Sequence, residues 1–143
     1  IGGMVGNNSS GTTSIKYGVT RDKVLALKTV LSNGEEVSFS AISEATLKQK
    51  CATETLEGAI YTMLYSELSS ETTRAEIQAQ FPKPEIHRRN TGYAVDALLD
   101  TEVFGTTETP LNLCNLLCGS EGTLAFTTEI TLQPRHATSL VYL

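Results

Sequence analysis

The stretch that most constrains the fold is the first eighteen residues, IGGMVGNNSSGTTSIKYG, dominated by Gly, Asn, Ser and Thr. Glycine admits backbone angles closed to other residues, and Ser and Asn side chains compete for backbone hydrogen bonds, so no long helix or strand can form here. A second segment of the same character, CGSEGTLAFTTE, begins at Cys118. Both leave the main chain open to close approach. The hydrophobic core has to come from the residues between and after them.

Those residues carry the periodicities. Val24 to Leu31, V-L-A-L-K-T-V-L, reads as a largely buried strand, and Glu36-Val37-Ser38-Phe39 begins a second, alternating one. Asn33-Gly34 between them supplies the tip of a hairpin. Ser43 through Ala52 and Leu56 through Leu68 have helical spacing, with Leu56, Ile60, Met63, Leu64 and Leu68 on one face. A further helix is predicted from Ser70, its N-cap, to Phe81, ended by Pro82 and Pro84. Residues 88–100 give a loop and a short helix, and Thr106 to Asn112 a polar connector. Leu111 to Leu117 has a helical pattern, Leu124 to Leu132 reads as a strand closed by Pro134, and Ser139 to Leu143 as the start of another. A hairpin, a mainly helical insert over 43–90 and returning strands predict an α+β fold, one antiparallel sheet covered by helices.

A chain of 143 residues suffices for one domain with a real core. Its net charge of -5 and scattered basic residues argue against a nucleic-acid surface. The short His87-Arg88-Arg89 cluster reads as a solvated face or helix-end charge. No apolar run approaches the ~18 residues of a membrane span, and the opening lacks the basic-then-apolar order of a signal peptide. Three cysteines give no disulfide framework. The expectation is a cytosolic chain, or one on the cytosolic side of a membrane-associated complex. Because it opens on Ile1-Gly2-Gly3, inside what reads as a functional loop, it is expected to be an excised segment.

Small residues at a turn let main-chain N–H groups reach phosphate or flavin carbonyl oxygens. The amides of Asn7 and Asn8 add donors and acceptors, the mixture a flavin's pyrimidine edge requires. Glycine-rich turns also simply join strands, so on this ground alone both readings stand.

Four ordered stretches narrow the choice. The opening segment, SIKYGVTRDKVLALKTVLSNGEEV, RRNTGYAVDALLD and NLCNLLCGSEGTLAFTTEITLQP together resemble the FAD-linked oxidase family, whose FAD-binding domain is of the vanillyl-alcohol-oxidase (PCMH) type. The resemblance is to its D-lactate and D-2-hydroxyacid dehydrogenase branch and runs from Ile1 to about Pro134. It implies that the chain is part of the second subdomain of the FAD-binding region, without the first subdomain or the substrate domain. It implies FAD as cofactor, with Gly2, Gly3, Asn7, Asn8, Ser9 and Gly11 along the flavin and its ribityl-phosphate arm. Tyr17 and Gly18 match the element that follows, and Glu121, Gly122 and Phe126 the segment contacting the nucleotide half. Ser10 stands where many relatives have Cys or Gly, and Ala125-Phe126 replaces the commoner Gly-Ile.

Neither His87 nor His136 sits in a catalytic pattern, and Glu35 and Glu36 read as solvated. Cys114 and Cys118, four apart, read as small packing residues, because two thiols alone make no metal site. No catalytic residue and no metal ligand is assigned. The expected activity, oxidation of a D-2-hydroxyacid such as D-lactate or D-2-hydroxyglutarate to a 2-oxoacid, belongs to the parent, and the isolated chain is expected to be inactive and to bind FAD weakly or not at all. Exposed apolar surface at its docking face is expected to favour a non-native dimer. The rival readings are a non-catalytic binding module on the same fold and another flavoenzyme of that fold.

Overall fold

The computed structural model describes residues 1–83, 85–86, 92–105, 107–133 and 140–142, the last three as backbone. After two short helices, α1 (Gly2–Gly6) and α2 (Ser14–Tyr17), a 3-10 turn at Thr20–Lys23 leads into the hairpin of β1 (Val24–Val30) and β2 (Glu36–Ser40). Three longer helices follow, α3 (Glu44–Cys51), α4 (Leu56–Ser69) and α5 (Glu71–Gln80). Two single-turn helices, α6 (Asp96–Leu99) and α7 (Cys114–Leu117), precede β3 (Phe126–Leu132) and β4 (Leu140–Tyr142). The four strands form one antiparallel sheet in the order β2-β1-β3-β4. This is the α+β architecture expected from the sequence.

The hairpin follows from alternation. Val37 and Phe39 point into the core while Glu36 and Ser38 face outward. β1 is less uniformly buried than its sequence suggests, because its pairing with β3 shifts register between Val24 and Ala26 and again between Lys28 and Thr29. Such bulges reset which side chains face inward, leaving Leu25 exposed and Leu27 and Thr29 buried. On the outer face Lys28 pairs with Glu129 across the strands at 2.8 Å.

Each long helix starts at a hydroxyl cap. Ser43, Thr55 and Ser70 accept from the backbone N–H of Thr46, Gly58 and Thr73 respectively, each contact stabilising its helix by roughly 1 kcal/mol. Tyr61 of α4 lies against Phe39 of the sheet, ring centroids 6.3 Å apart. With Leu27, Leu47, Leu68, Leu98 and Ile130 these residues form the core between sheet and helices.

Three expectations need correction. Met63 is 57% exposed; the buried side of α4 runs instead through Gly58, Tyr61 and Leu68. Leu111 is not helical: it bridges to Ile42, and the Asn112 Oδ1 accepts from the Cys114 N–H, starting α7 three residues later. Glu35 is not simply solvated, because its carboxylate accepts from the Leu56 N–H at the start of α4. His87, Arg88, Arg89, Pro134 and His136 lie outside the described residues.

Helix propensity alone makes Gly58→Ala a stabilising change of about 1 kcal/mol. The structure reverses the sign. A Cβ on Gly58 would stand 2.8 Å from the Lys50 carbonyl oxygen and closer still to that of Thr53, so the substitution is expected to destabilise by about 1–3 kcal/mol. A urea midpoint that rises in the variant would contradict this.

Candidate cofactor-binding site

The two glycine-rich segments, far apart in sequence, form opposite walls of one groove of ≈ 490 Å³. Gly2, Gly3, Val5, Gly6 and Asn7 contribute one wall; Ser120, Glu121 and Gly122 the other; Leu117, Ala125, Phe126, Thr127 and Ile130 close the base. Its volume is that of an ordinary small-ligand pocket, roughly 300–1,000 Å³.

Backbone hydrogen bonds join the walls directly. The Gly119 N–H donates to the Val5 carbonyl at 3.1 Å and the Glu121 N–H to the Gly6 carbonyl at 2.9 Å. Between Ser120 and Thr123 the chain turns through two positive-φ residues, Glu121 at 53° and Gly122 at 78°, with the Thr123 N–H donating to the Ser120 carbonyl at 3.0 Å. Positive φ at both central residues is the requirement of a type I′ turn. Glutamate rarely adopts it, and such strain clusters where a loop has a function.

Behind the groove sits Arg21, 8% exposed. Its backbone N–H donates to the Asn8 Oδ1 at 2.8 Å, its Nε to the Asn115 carbonyl at 2.8 Å, and its Nη2 to the Cys118 carbonyl at 2.7 Å. A Cβ on Gly119, whose φ is +93°, would stand 3.1 Å from that Nη2 and 3.4 Å from the Asn8 Cβ. Only glycine tolerates both the angle and the approach. The third motif joins through Tyr93, whose hydroxyl hydrogen-bonds with that of Thr123 at 2.8 Å.

Of the residues named from sequence, Gly2, Gly3, Asn7, Glu121, Gly122 and Phe126 come together on the groove. Asn8, Ser9, Gly11, Tyr17 and Gly18 do not line it. Asn8 is fully buried and holds Arg21, while the Ser9 carbonyl accepts from both the N–H and the hydroxyl of Thr20. Arg21 escaped the sequence reading, as did Val5, Gly6, Ser120 and Thr127. Phe126 is 72% exposed, presenting an aromatic face rather than a packed side chain.

The groove lining is mostly small or apolar, with Asn7, Ser120, Glu121 and Thr127 as its polar side chains. Gly2 and Gly3 have no positive φ, and a Cβ on either would meet nothing within 4 Å. Packing within this chain therefore gives no reason for glycine in a helical turn, where Ala is better by about 1 kcal/mol.

The thiols do not belong to this chemistry. Burial pushes both Cys114 and Cys118 up to about 12 from an ordinary 9.0, and the Cys114 Sγ donates to the Phe39 carbonyl. The unfolded chain thus releases these protons first as pH rises, so their contribution to stability is intact below about 9 and is lost progressively towards 12. At pH 8 a thiol reagent is expected to label half-buried Cys51 at least tenfold faster than the other two, whose thiolates are scarce. Equal rates by mass spectrometry would show that α7 opens readily. Among the described residues no cluster of three or more His, Cys, Asp or Glu could hold a metal, and no helix is long and apolar enough to cross a membrane.

Residues 1–40 match the family described as FAD binding domain. The chain is 37% identical over 141 residues to the D-2-hydroxyglutarate dehydrogenase of Pseudomonas putida, covering 96% of this chain and 13% of that enzyme. It is 36% identical over 132 residues to the D-2-hydroxyglutarate dehydrogenase of Pantoea ananatis, covering 92% and 12%. Over 35 residues it is 54% identical to the glycolate oxidase subunit GlcD of Bacillus subtilis, 24% of this chain and 7% of that protein. No solved structure matches at a comparable level. Both comparisons support a likeness to the FAD-linked oxidase family. The chain spans only about an eighth of the length of the D-2-hydroxyglutarate dehydrogenases it matches.

Proposed function

We propose that this chain is part of the FAD-binding region of a flavin-dependent dehydrogenase that oxidises a D-2-hydroxyacid, of the D-2-hydroxyglutarate or D-lactate type, to a 2-oxoacid. One observation carries the reading: the groove is walled by glycines at positions 2 and 3 for which the chain itself supplies no steric or conformational need. The relatives named above supply the substrate class.

In this reading Gly2, Gly3 and Gly122 allow the cofactor to lie against the main chain, and Asn7 presents an exposed amide beside it. Phe126 offers its ring to a flat part of the ligand, and Asn8, Ser9 and Gly18 act from behind by shaping the wall. When bound, FAD supplies the redox chemistry, accepting hydride from the hydroxyl-bearing carbon. This chain contributes position and electrostatics. It holds no group proposed to handle the substrate, so the isolated chain is proposed to be inactive and to bind FAD weakly. The exposed Ile1, Met4 and Phe126 beside the groove support self-association of the isolated chain, and a cytosolic location remains part of the proposal.

The test is a visible absorption spectrum of a protein carrying this chain at its relatives' full length, desalted after incubation with excess FAD. A retained flavin spectrum that bleaches with D-2-hydroxyglutarate or D-lactate is expected. Retained flavin without bleaching would reopen the substrate, and loss of all flavin would replace the reading with the binding-module alternative.

A further inference from the structure

The walls of the groove are joined by two backbone hydrogen bonds, but the elements behind them meet at one residue. We propose that Arg21 is a positioning residue that sets the spacing and tilt of the two glycine walls, and through them the seating of the flavin nucleotide; this rests on the reading given under Proposed function.

The geometry assigns three segments to one residue. Through its N–H, Arg21 holds the Asn8 side chain, which follows directly on α1 and Asn7. Through its guanidinium it holds the Asn115 and Cys118 carbonyls at the end of α7, next to Gly119 and the strained Glu121–Gly122 turn. The adjoining Thr20 binds the Ser9 carbonyl twice. The planar fork fixes both distance and direction between its two carbonyl acceptors, which a single ammonium cannot do. Gly119 packs against the same nitrogen, so the clamp leaves no slack between the walls. Neither Arg21 nor Asn8, Asn115 or Cys118 lines the groove, and Arg21 does not touch the ligand in this proposal.

The experiment uses the full-length flavoprotein and compares Arg21→Lys with Leu98→Ala, a core truncation at a residue that does not line the groove. Both lower thermal stability. FAD affinity and the visible circular dichroism of bound flavin are then measured well below either melting temperature. Arg21→Lys is expected to bind FAD at least tenfold more weakly and to alter the flavin's dichroic bands; Leu98→Ala is expected to change neither. Should Arg21→Lys not fold, Gly119→Ala reaches the same contact from the other wall and is expected to give the same two changes. Wild-type affinity and dichroism in either folded variant overturns the proposal. A wild-type protein that binds no FAD overturns the functional reading instead, and the two failures are told apart by that control.

Discussion

Arg21→Ala is expected to lower the unfolding free energy by about 3 to 5 kcal/mol, a large share of what a domain of this size possesses. The substitution strips the donors from the Asn115 and Cys118 carbonyls. Each buried acceptor left without a donor costs about 1–3 kcal/mol, and the emptied volume adds a packing loss. The Asn8 contact survives, because it uses the Arg21 backbone. Urea titration with an unchanged slope and a lower midpoint would establish the effect. A loss below about 1 kcal/mol would place the guanidinium with exposed arginines, whose removal costs little.

Leu27→Ala is expected to cost about 2 to 5 kcal/mol by a different route. Leu27 is 1% exposed and sits in the middle of the sheet, paired with Phe39 on β2 and Ile130 on β3. Its truncation leaves a cavity that neither neighbouring strand can close, since both are held in register by the ladder. Lys28→Ala, one residue on and facing outward, is expected to stay within about 0.5 kcal/mol. The pair is read from two denaturation curves. A larger loss in Lys28→Ala than in Leu27→Ala would mean that β1 is oriented the other way round.

These two residues mark what could be read in the amino-acid sequence and what could not. Leu27 was legible because burial in a strand is written in neighbouring residues: an apolar run, Asn33-Gly34, then strict alternation. The cap at Ser70 was legible for the same reason, since both partners lie within three positions. Arg21 had no such local signal. In T-R-D it reads as a charged turn, and its burial depends on carbonyls 94 and 97 positions away. Asn8 was misplaced for the matching reason: an amide in a glycine-rich loop reads as ligand-facing, and nothing nearby announces that Arg21 occupies it. Leu111 failed differently. Apolar spacing over 111–117 fits a helix or a bridge equally well, and only the pairing with Ile42 decides. Gly2, Gly3, Asn7, Glu121, Gly122 and Phe126 could be named together only because the resemblance joined two segments that periodicity alone could not bring together.

The Val5–Gly119 and Gly6–Glu121 hydrogen bonds also order events in time. A polypeptide emerging from the ribosome presents Gly2 to Asn7 well before the Gly119 turn, and domains fold as synthesis allows. Contacts within α3, α4 and α5 close over short loops, whereas the two bonds that join the walls link residues far apart in sequence and carry a larger closure entropy. The helices and hairpin can therefore be native while the opening segment still has no opposing wall. Closure of the groove is then a late step in the folding of these residues, waiting on the Gly119 turn.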